Sequence, residues 1–402
     1  MSSSAANPAG PLVRPVMPEL DSLRGIAILL VVFFHGFNLP AAMTHMRGVP
    51  RLFLISTLGG WTGVNLFFVL SGFLITGILL DSKPKPHYYR RFYVRRALRI
   101  LPVSYLLLFL LGVLQFTGWL ENRRVGWPFL ALSFFYLANM VSLFGVTSHY
   151  TVLWTLAVEE QFYFLWPTAV RAFSRRNLAW LAFGFCLACP ALRALAYRLG
   201  NDYSAGYLWL VADSLAMGAL LAALSRGKLA GRGPMLAFSL ACVIAGFAML
   251  AGLAPLGIWR AITFVGGVFR ITAINFVFTG LLGLALVIGT SRWQWIVRRS
   301  VLQWFGQISY GLYLFHMLAT DFVDHWFTRY FPELYAQLSS RFDLMVARFV
   351  LSLAVGVTAA FLSRRYFEER FLKLKDRWAP SASVSQVPVP YVISPEPTRQ
   401  TA

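Results

Sequence analysis

The stretch "LDSLRGIAILLVVFFHGFNL", residues 20–39, decides the reading of this chain. Its Ile, Leu, Val and Phe make a membrane helix, yet it also carries Asp21, Arg24 and His35. A charge inside hydrocarbon costs about 2.5–3.5 kcal/mol on translocon-derived scales, so an ionisable residue there points to function by default. Arg24 and His35 are eleven residues apart. At about 100° per residue that is roughly three turns, so both project from one face, about 16 Å apart along the axis. Asp21 precedes Arg24 by a turn and Asn38 follows His35 by a turn, on much the same face. Such a polar stripe cannot look at lipid and must face the bundle interior or a water-filled hollow. A neutral imidazole, with an unperturbed pKa of roughly 6.5, can act there as a general base. On spacing alone the other reading stays open: His35 caps or packs, and Asp21 with Arg24 forms a structural ion pair.

Outward from that stretch the whole chain has a membrane composition. Of 402 residues 58% are hydrophobic and only 13% charged, with a mean hydropathy of +0.62. Apolar runs of about 17–25 residues, enough to cross a core of roughly 30 Å, recur from end to end. The spans predicted are 23–39, 59–80, 99–117, 151–170, 178–195, 205–224, 235–253, 268–290, 302–322 and 344–363. An eleventh stretch, 128–144 ("PFLALSFFYLANMVSLF"), is decided by the basic loops. If it crosses, "RAFSRRN" and "SRGKLAGRG" fall outside; if it lies in or dips into the outer interface, they fall inside with "DSKPKPHYYRRFYVRRALR", "SRWQWIVRRS" and "SRRYFEERFLKLKDR". The positive-inside rule selects the second arrangement. The expectation is therefore an all-α polytopic bundle of ten transmembrane helices with both termini cytoplasmic and one interfacial or re-entrant segment. Residues 1–18 are expected as a disordered start with a retained first helix, 19–378 as the membrane domain, and the Pro/Ser-rich 379–402 as a disordered tail.

The net charge of +20 invites a nucleic-acid reading, which the placement of the basic residues in the loops argues against. There they orient the protein and meet anionic head groups, each contributing about 1 kcal/mol near the surface. Three cysteines make no disulfide framework, and Cys186 and Cys189 read as small core residues of an apolar helix. No ligand cluster suggests a metal.

Other polar positions carry candidate chemistry. In "HYYRRFYVRRALRILP" Arg96 and Arg99 stand one turn apart beside Arg95, with Tyr88, Tyr89, Phe92 and Tyr93 interleaved. Guanidinium forks bind phosphate bidentately and aromatic faces stack on a planar base, so a phosphorylated nucleotide-bearing donor suits the patch; plain anchoring with an aromatic belt suits it as well. "HYTVLWTLAVEEQFYFLWP" sets Glu159 and Glu160 within an apolar helix, about 100° apart, so that at most one lines a given cavity wall. One is expected to meet a buried cation such as Arg24 or His35. His149, just before, reads as a surface residue. "FGQISYGLYLFHM" spaces Tyr310, Tyr313 and His316 three apart, as a cavity wall or as packing beside Gly306 and Gly311. Asn65 is a buried amide that needs partners, most simply a structural hydrogen bond.

Taken together, "LDSLRGIAILLVVFFH" with its R-x10-H pattern, "GGWTGVNLFFVLSGFLITGILL", "FYVRRALRILP", "LWTLAVEEQFYFLWP" and "ISYGLYLFH" resemble, in order and over residues 19 to about 370, the membrane acyltransferase-3 family of bacterial O-acyltransferases. The resemblance implies a ten-helix inner-membrane bundle. It would take an acyl group, usually acetyl, from cytoplasmic acyl-CoA and pass it to a sugar hydroxyl in a polysaccharide, peptidoglycan, a lipid-linked glycan or a secreted small molecule. It implies His35 as the catalytic histidine with Arg24 its matching arginine, Arg96 and Arg99 as the donor-binding R-x-x-R, and Glu159 and Glu160 as the paired acids. Asp21, Asn65, Tyr310 and His316 are carried as candidate cavity residues. Many members have an acid where this chain has Asn65, and many continue into an SGNH-type esterase-like domain. Here a short tail follows, so transfer is expected to finish in the membrane domain or with a separate partner, such as a glycan-assembly protein. The expected mechanism has Arg95, Arg96 and Arg99 hold the CoA phosphates while His35 deprotonates the acceptor hydroxyl and a glutamate orients the imidazole; an acyl-histidine relay competes with direct attack. A proton-coupled transporter or flippase is the alternative, since carriers also use intramembrane Arg, His and Glu, but they commonly show internal repeats and the two halves of this chain show none.

Overall fold

The computed structural model describes residues 11–38, 40–119, 125–147, 150, 152–200 and 206–379. Among them there is no β-strand, and ten helices of 18 residues or more carry the architecture. They are α1 (Pro18–Phe37), α2 (Gly63–Ser82), α3 (Tyr88–Phe116), α4 (Leu153–Ala172), α5 (Arg175–Arg198), α6 (Leu208–Ser225), α7 (Arg232–Gly252), α8 (Phe264–Gly289), α9 (Ser300–Tyr330) and α10 (Phe342–Leu362). A π-helical turn, Ser363–Glu368, joins α10 to a short amphipathic α11 (Glu369–Trp378).

Among the described residues eight candidate spans are long and apolar enough to cross a membrane: α1, α3, α5 to α8, and the longer segments Gly48–Ser82 and Phe342–Lys375, which contain α2 and α10. The two that fall short are α4 and α9, and the reason is chemical. Glu159, Glu160, Gln161 and Arg171 lie in α4; Gln303, Gln307, His316, Asp321 and Asp324 lie in α9. Of these, His316, Asp321 and Asp324 are buried and Glu159, Glu160, Gln161 and Gln303 half-buried, while Arg171 and Gln307 are exposed. The chain is therefore an all-α, multi-pass membrane protein. The awkward stretch 128–144 folds as two short pieces, Trp127–Phe134 and a 3₁₀ turn Ala138–Phe144. At about 1.5 Å per residue for the α-helical piece and about 2 Å for the 3₁₀ turn, neither can cross. Phe134, Phe135, Leu143 and Phe144 are exposed on it.

Helix packing follows from small residues rather than from hydrophobicity, because lipid tails are as apolar as the helices. At the α2–α6 crossing a Cβ on Gly72 would stand 1.9 Å from the carbonyl oxygen of Leu215, and one on Gly218 2.0 Å from that of Val69. Only glycine permits that approach. α1 runs between α2 and α9, α9 against α10, and α6 against both α5 and α8.

The start of the chain is more ordered than its composition suggests. Residues 11–17, expected within a disordered segment, are described and packed: Leu12 is buried, and Arg14 bonds the Gly289 carbonyl at 3.1 Å and pairs with the buried Glu19. Residues 1–10, His149 and 380–402 lie outside the described residues. Cys186, Cys189 and Cys242 are free and buried.

Candidate active site

The face that carries the N-termini of α1, α3 and α9 opens into a cavity of about 740 Å³. Lys and Arg outnumber carboxylates nine to two among its lining residues. α3 supplies most of them by helical spacing: Arg91 and Arg95 stack at i,i+4, and Arg96 and Arg99 at i,i+3. Arg95 also donates to the Ala379 carbonyl at 2.8 Å, fastening the end of α11 to the cavity mouth. Two contributors were not singled out in the sequence. Arg226 comes from the end of α6, bidentate to Asp81 at 2.8 and 2.7 Å, and Arg364 comes from the π turn. π turns recur at functional sites because the extra residue re-aims neighbouring side chains.

A second, inner cavity of about 110 Å³ continues from the first. Arg96, Arg99, Ser309 and Tyr310 line both. Its inner walls carry Arg24 of α1, Ser71 of α2, Glu159 and Tyr163 of α4, and Tyr313 of α9. A short polar chain runs through it: Tyr163 donates to Ser71 Oγ at 3.1 Å, and Ser71 donates to Glu159 Oε1 at 2.6 Å. The Arg96 guanidinium lies 4.4 Å from the centre of the Tyr163 ring. Arg24 keeps its pair with Asp21 at 3.0 Å while lining this space. Tyr310 anchors the wall by donating to the Ile100 carbonyl at 2.8 Å.

His35 lines neither cavity. It stands past Tyr313, with its Nδ1 3.0 Å from the Val31 carbonyl and 3.3 Å from Nε2 of His316. The two imidazole rings are 5.0 Å apart, and the Tyr313 ring lies 5.8 Å from that of His316. Tyr313 closes the inner cavity on this side. Its ring meets Phe67 edge-on at 5.9 Å, and its hydroxyl is 2.6 Å from Thr155 Oγ1.

Several expectations change. The glutamate expected beside the imidazole is engaged elsewhere: Glu159 accepts from Ser71, and a ring nitrogen of His316 lies 3.3 Å from His35 Nδ1. Glu160 lines neither cavity, because its position on α4 turns it about 100° away from Glu159. Asn65 lines neither of these two cavities; it donates to Ser214 and Asn275 at 3.3 and 3.2 Å in a buried amide–hydroxyl cluster, the structural hydrogen bond its buried amide needs. Asp21 serves the cavity only through Arg24. Sequence reasoning also missed two buried ion pairs. Arg193 with Asp213 lies between α5 and α6, and Arg348 with Asp324 between α10 and α9; Arg348 also bonds the Gly36 carbonyl next to His35 at 2.9 Å. A charged residue within an apolar helix was the available signal in each case.

A multi-pass α-helical protein with a cationic cavity narrowing toward a histidine pair, half-buried His35 and buried His316, is the class that the fold and site define. The family model described as an acyltransferase domain, acyltransferase-3, matches residues 17–365, and the chain belongs to that family. It is 30% identical over 213 residues, 48% of its own length and 31% of the relative's, to the peptidoglycan O-acetyltransferase OatA of Listeria monocytogenes. It is 27% identical over 381 residues, 89% of its own length and 57% of the relative's, to a Staphylococcus aureus protein named "Putative O-acetyltransferase SAS0844". The chain thus spans between about a third and just over half of these relatives. No solved structure matches it significantly.

Proposed function

We propose that this protein is an O-acetyltransferase of the inner membrane. It takes the acetyl group of acetyl-CoA at the arginine-lined cavity, on the cytoplasmic side, and transfers it to a hydroxyl of a cell-envelope sugar. The observation that carries this reading is the continuity of the site: one set of side chains, Arg96, Arg99, Ser309 and Tyr310, lines both the broad cationic mouth and the narrow inner cavity that ends one helical turn short of His316. Membership of the acyltransferase family and the names of the relatives support the same chemistry. Both termini are then cytoplasmic, as the basic loops favour.

The residues divide the work as follows. Arg95, Arg96 and Arg99, with Arg226 and Arg364 around them, neutralise the phosphates of the donor, where forked guanidinium contacts give both charge and direction. The thioester arm follows the inner cavity past Arg24 and Glu159. Reaching His35 requires the Tyr313 side chain to leave Thr155, so this hydroxyl contact is the gate. His35 then takes the proton of the acceptor hydroxyl, the oxygen attacks the thioester carbon, the C–S bond breaks, and the proton passes to the departing thiolate sulfur. General-base help of this kind supplies about 10²–10⁴-fold. Acceptors in reach are sugars of peptidoglycan, polysaccharide or a lipid-linked glycan.

The test is transfer of labelled acetyl from acetyl-CoA to candidate glycans by the purified protein in detergent, without any ion gradient. Labelled ester product in the parent and none in a folded His35→Ala variant is the expected result. Gradient-dependent movement of glycan with no ester formed would replace this reading with a carrier.

A further inference from the structure

The contacts of His316 Nδ1, His316 Nε2 and His35 Nδ1 decide where the hydrogens on these three nitrogens lie. His316 Nδ1 lies 2.7 Å from the Tyr313 carbonyl oxygen and 3.2 Å from that of Leu312. Carbonyl oxygens only accept, so this nitrogen carries the hydrogen, and in a neutral imidazole the other nitrogen then carries the lone pair. That lone pair, on His316 Nε2, faces His35 Nδ1 at 3.3 Å. His35 Nδ1 also faces the Val31 carbonyl oxygen at 3.0 Å. Both neighbours accept, so His35 Nδ1 is the N–H. A cationic His316 would put an N–H against His35 Nδ1, force a lone pair there, and set that lone pair against the Val31 oxygen. His316 is 4% exposed, so its two ring nitrogens meet these protein neighbours rather than water.

We infer that His316 is a positioning residue that holds His35 in its Nδ1–H tautomer and so makes Nε2 the reactive nitrogen. The inference rests on the proposed role of His35. It gives His316 the task that a carboxylate performs in a serine-protease triad, where the partner of the imidazole fixes tautomer and orientation and stabilises the imidazolium. Here the partner is a neutral ring whose own direction is set by the backbone of α9, one turn back. As His35 Nε2 takes the hydroxyl proton, Nδ1–H stays donated to the His316 lone pair, and the new charge is shared along that hydrogen bond. When the C–S bond breaks, the Nε2 proton goes to sulfur and the pair returns to its starting state. The backbone that orients His316 belongs to Tyr313, whose side chain closes the inner cavity, so gate and proton carrier are built on one turn of helix.

The full chain, purified in detergent, provides the test with His316→Leu and His316→Gln. The glutamine carbonyl can accept from Nδ1–H where the ring nitrogen did; leucine cannot. For His316→Leu a fall in kcat of about 10²-fold is expected with KM for acetyl-CoA within about twofold, and His316→Gln should recover most of the loss. Nitrogen-15 spectra of histidine-labelled parent protein, with the His35 signals assigned by their absence in His35→Ala, should show Nδ1 as the protonated nitrogen and Nε2 as the bare one. In His316→Leu the Nε2–H tautomer should grow. An Nε2–H tautomer in the parent, unchanged kcat in His316→Leu, or a folded His316→Gln no better than leucine would each overturn the inference. Should the leucine variant not fold, the parent spectrum still decides. An active His35→Ala would instead remove the proposed role of His35, and the tautomer assignment would stand or fall on the spectra alone.

Discussion

Replacing Arg193 by methionine should be among the most destabilising single changes in the membrane domain. Arg193 is wholly buried. Its Nε donates to the Val268 carbonyl at 3.0 Å, Nη1 to the Leu210 carbonyl at 2.5 Å and to Asp213 Oδ1 at 3.2 Å, and Nη2 to Asp213 Oδ2 at 2.8 Å and Thr272 Oγ1 at 2.7 Å. All five N–H groups of the guanidinium are thus used. Arg193→Met strands Asp213, also wholly buried, with the Thr272 hydroxyl at 3.1 Å as its one remaining side-chain donor among the described residues. Two contributions can be separated. Interhelical hydrogen bonds in membranes average about 0.6 kcal/mol each, so their loss alone would be felt equally in Arg193→Met and in the double variant Arg193→Met/Asp213→Leu. The uncompensated carboxylate adds about 3–5 kcal/mol, and only in the single variant. Equilibrium unfolding in bicelles, read by steric trapping or by SDS titration, measures both. The double variant should lie well above the single one in stability, with acetyl transfer retained, because neither residue lines the cavities. A single variant within about 1 kcal/mol of the parent, or a double variant no better than the single, would refute the reasoning.

Arg96→Lys or Arg99→Lys should raise KM for acetyl-CoA about tenfold with a smaller change in kcat, since a fork becomes a point charge; steady-state kinetics against donor concentration checks it. Donor affinity should weaken as salt rises from low to physiological strength, because the mouth of the cavity is solvent-open; titration calorimetry at two salt concentrations reads the slope. Gly72→Leu should prevent assembly of α2 on α6, because a Cβ at this position already meets the Leu215 carbonyl at 1.9 Å; loss of the monodisperse peak in detergent gel filtration is the readout. Arg348→Leu should cost about 3–5 kcal/mol by stranding buried Asp324, and should lower kcat as well by releasing the Gly36 carbonyl beside His35; unfolding and turnover of one preparation test both.

The helices were legible because hydrocarbon thickness imposes a length on every crossing, and the ten predicted spans each fall on one of the ten long helices. What blurred the ends was loop anchoring: α3 begins at Tyr88, well before its apolar stretch, since its first turns carry the cavity arginines. The part of the site that lies along one helix was also legible, as with Arg96 and Arg99 or Tyr310 and Tyr313, because helical spacing alone puts these on one face. Pairings across the bundle were not. His35 and His316 are 281 positions apart, and nothing local in either stretch names the other. For Asn65 the need for a structural hydrogen bond is legible, but its partners Ser214 and Asn275, on distant helices, are not, so a buried amide and a cavity amide look alike. The π turn that brings Arg364 into the arginine-lined cavity leaves no mark in "SRRYFEER", whose basic residues read equally well as loop anchors.

In the mechanism proposed above, a donor entering by the arginine cavity delivers its acyl carbon past Tyr313 to His35. A structure of the protein with a non-hydrolysable acetyl-CoA analogue tests it most directly. Phosphates should lie against Arg96 and Arg99, Tyr313 should be turned away from Thr155, and the acetyl carbonyl should stand beside the His35 imidazole. An analogue whose acetyl group ends at Glu159 behind a closed Tyr313, or that enters from the opposite face, would contradict it.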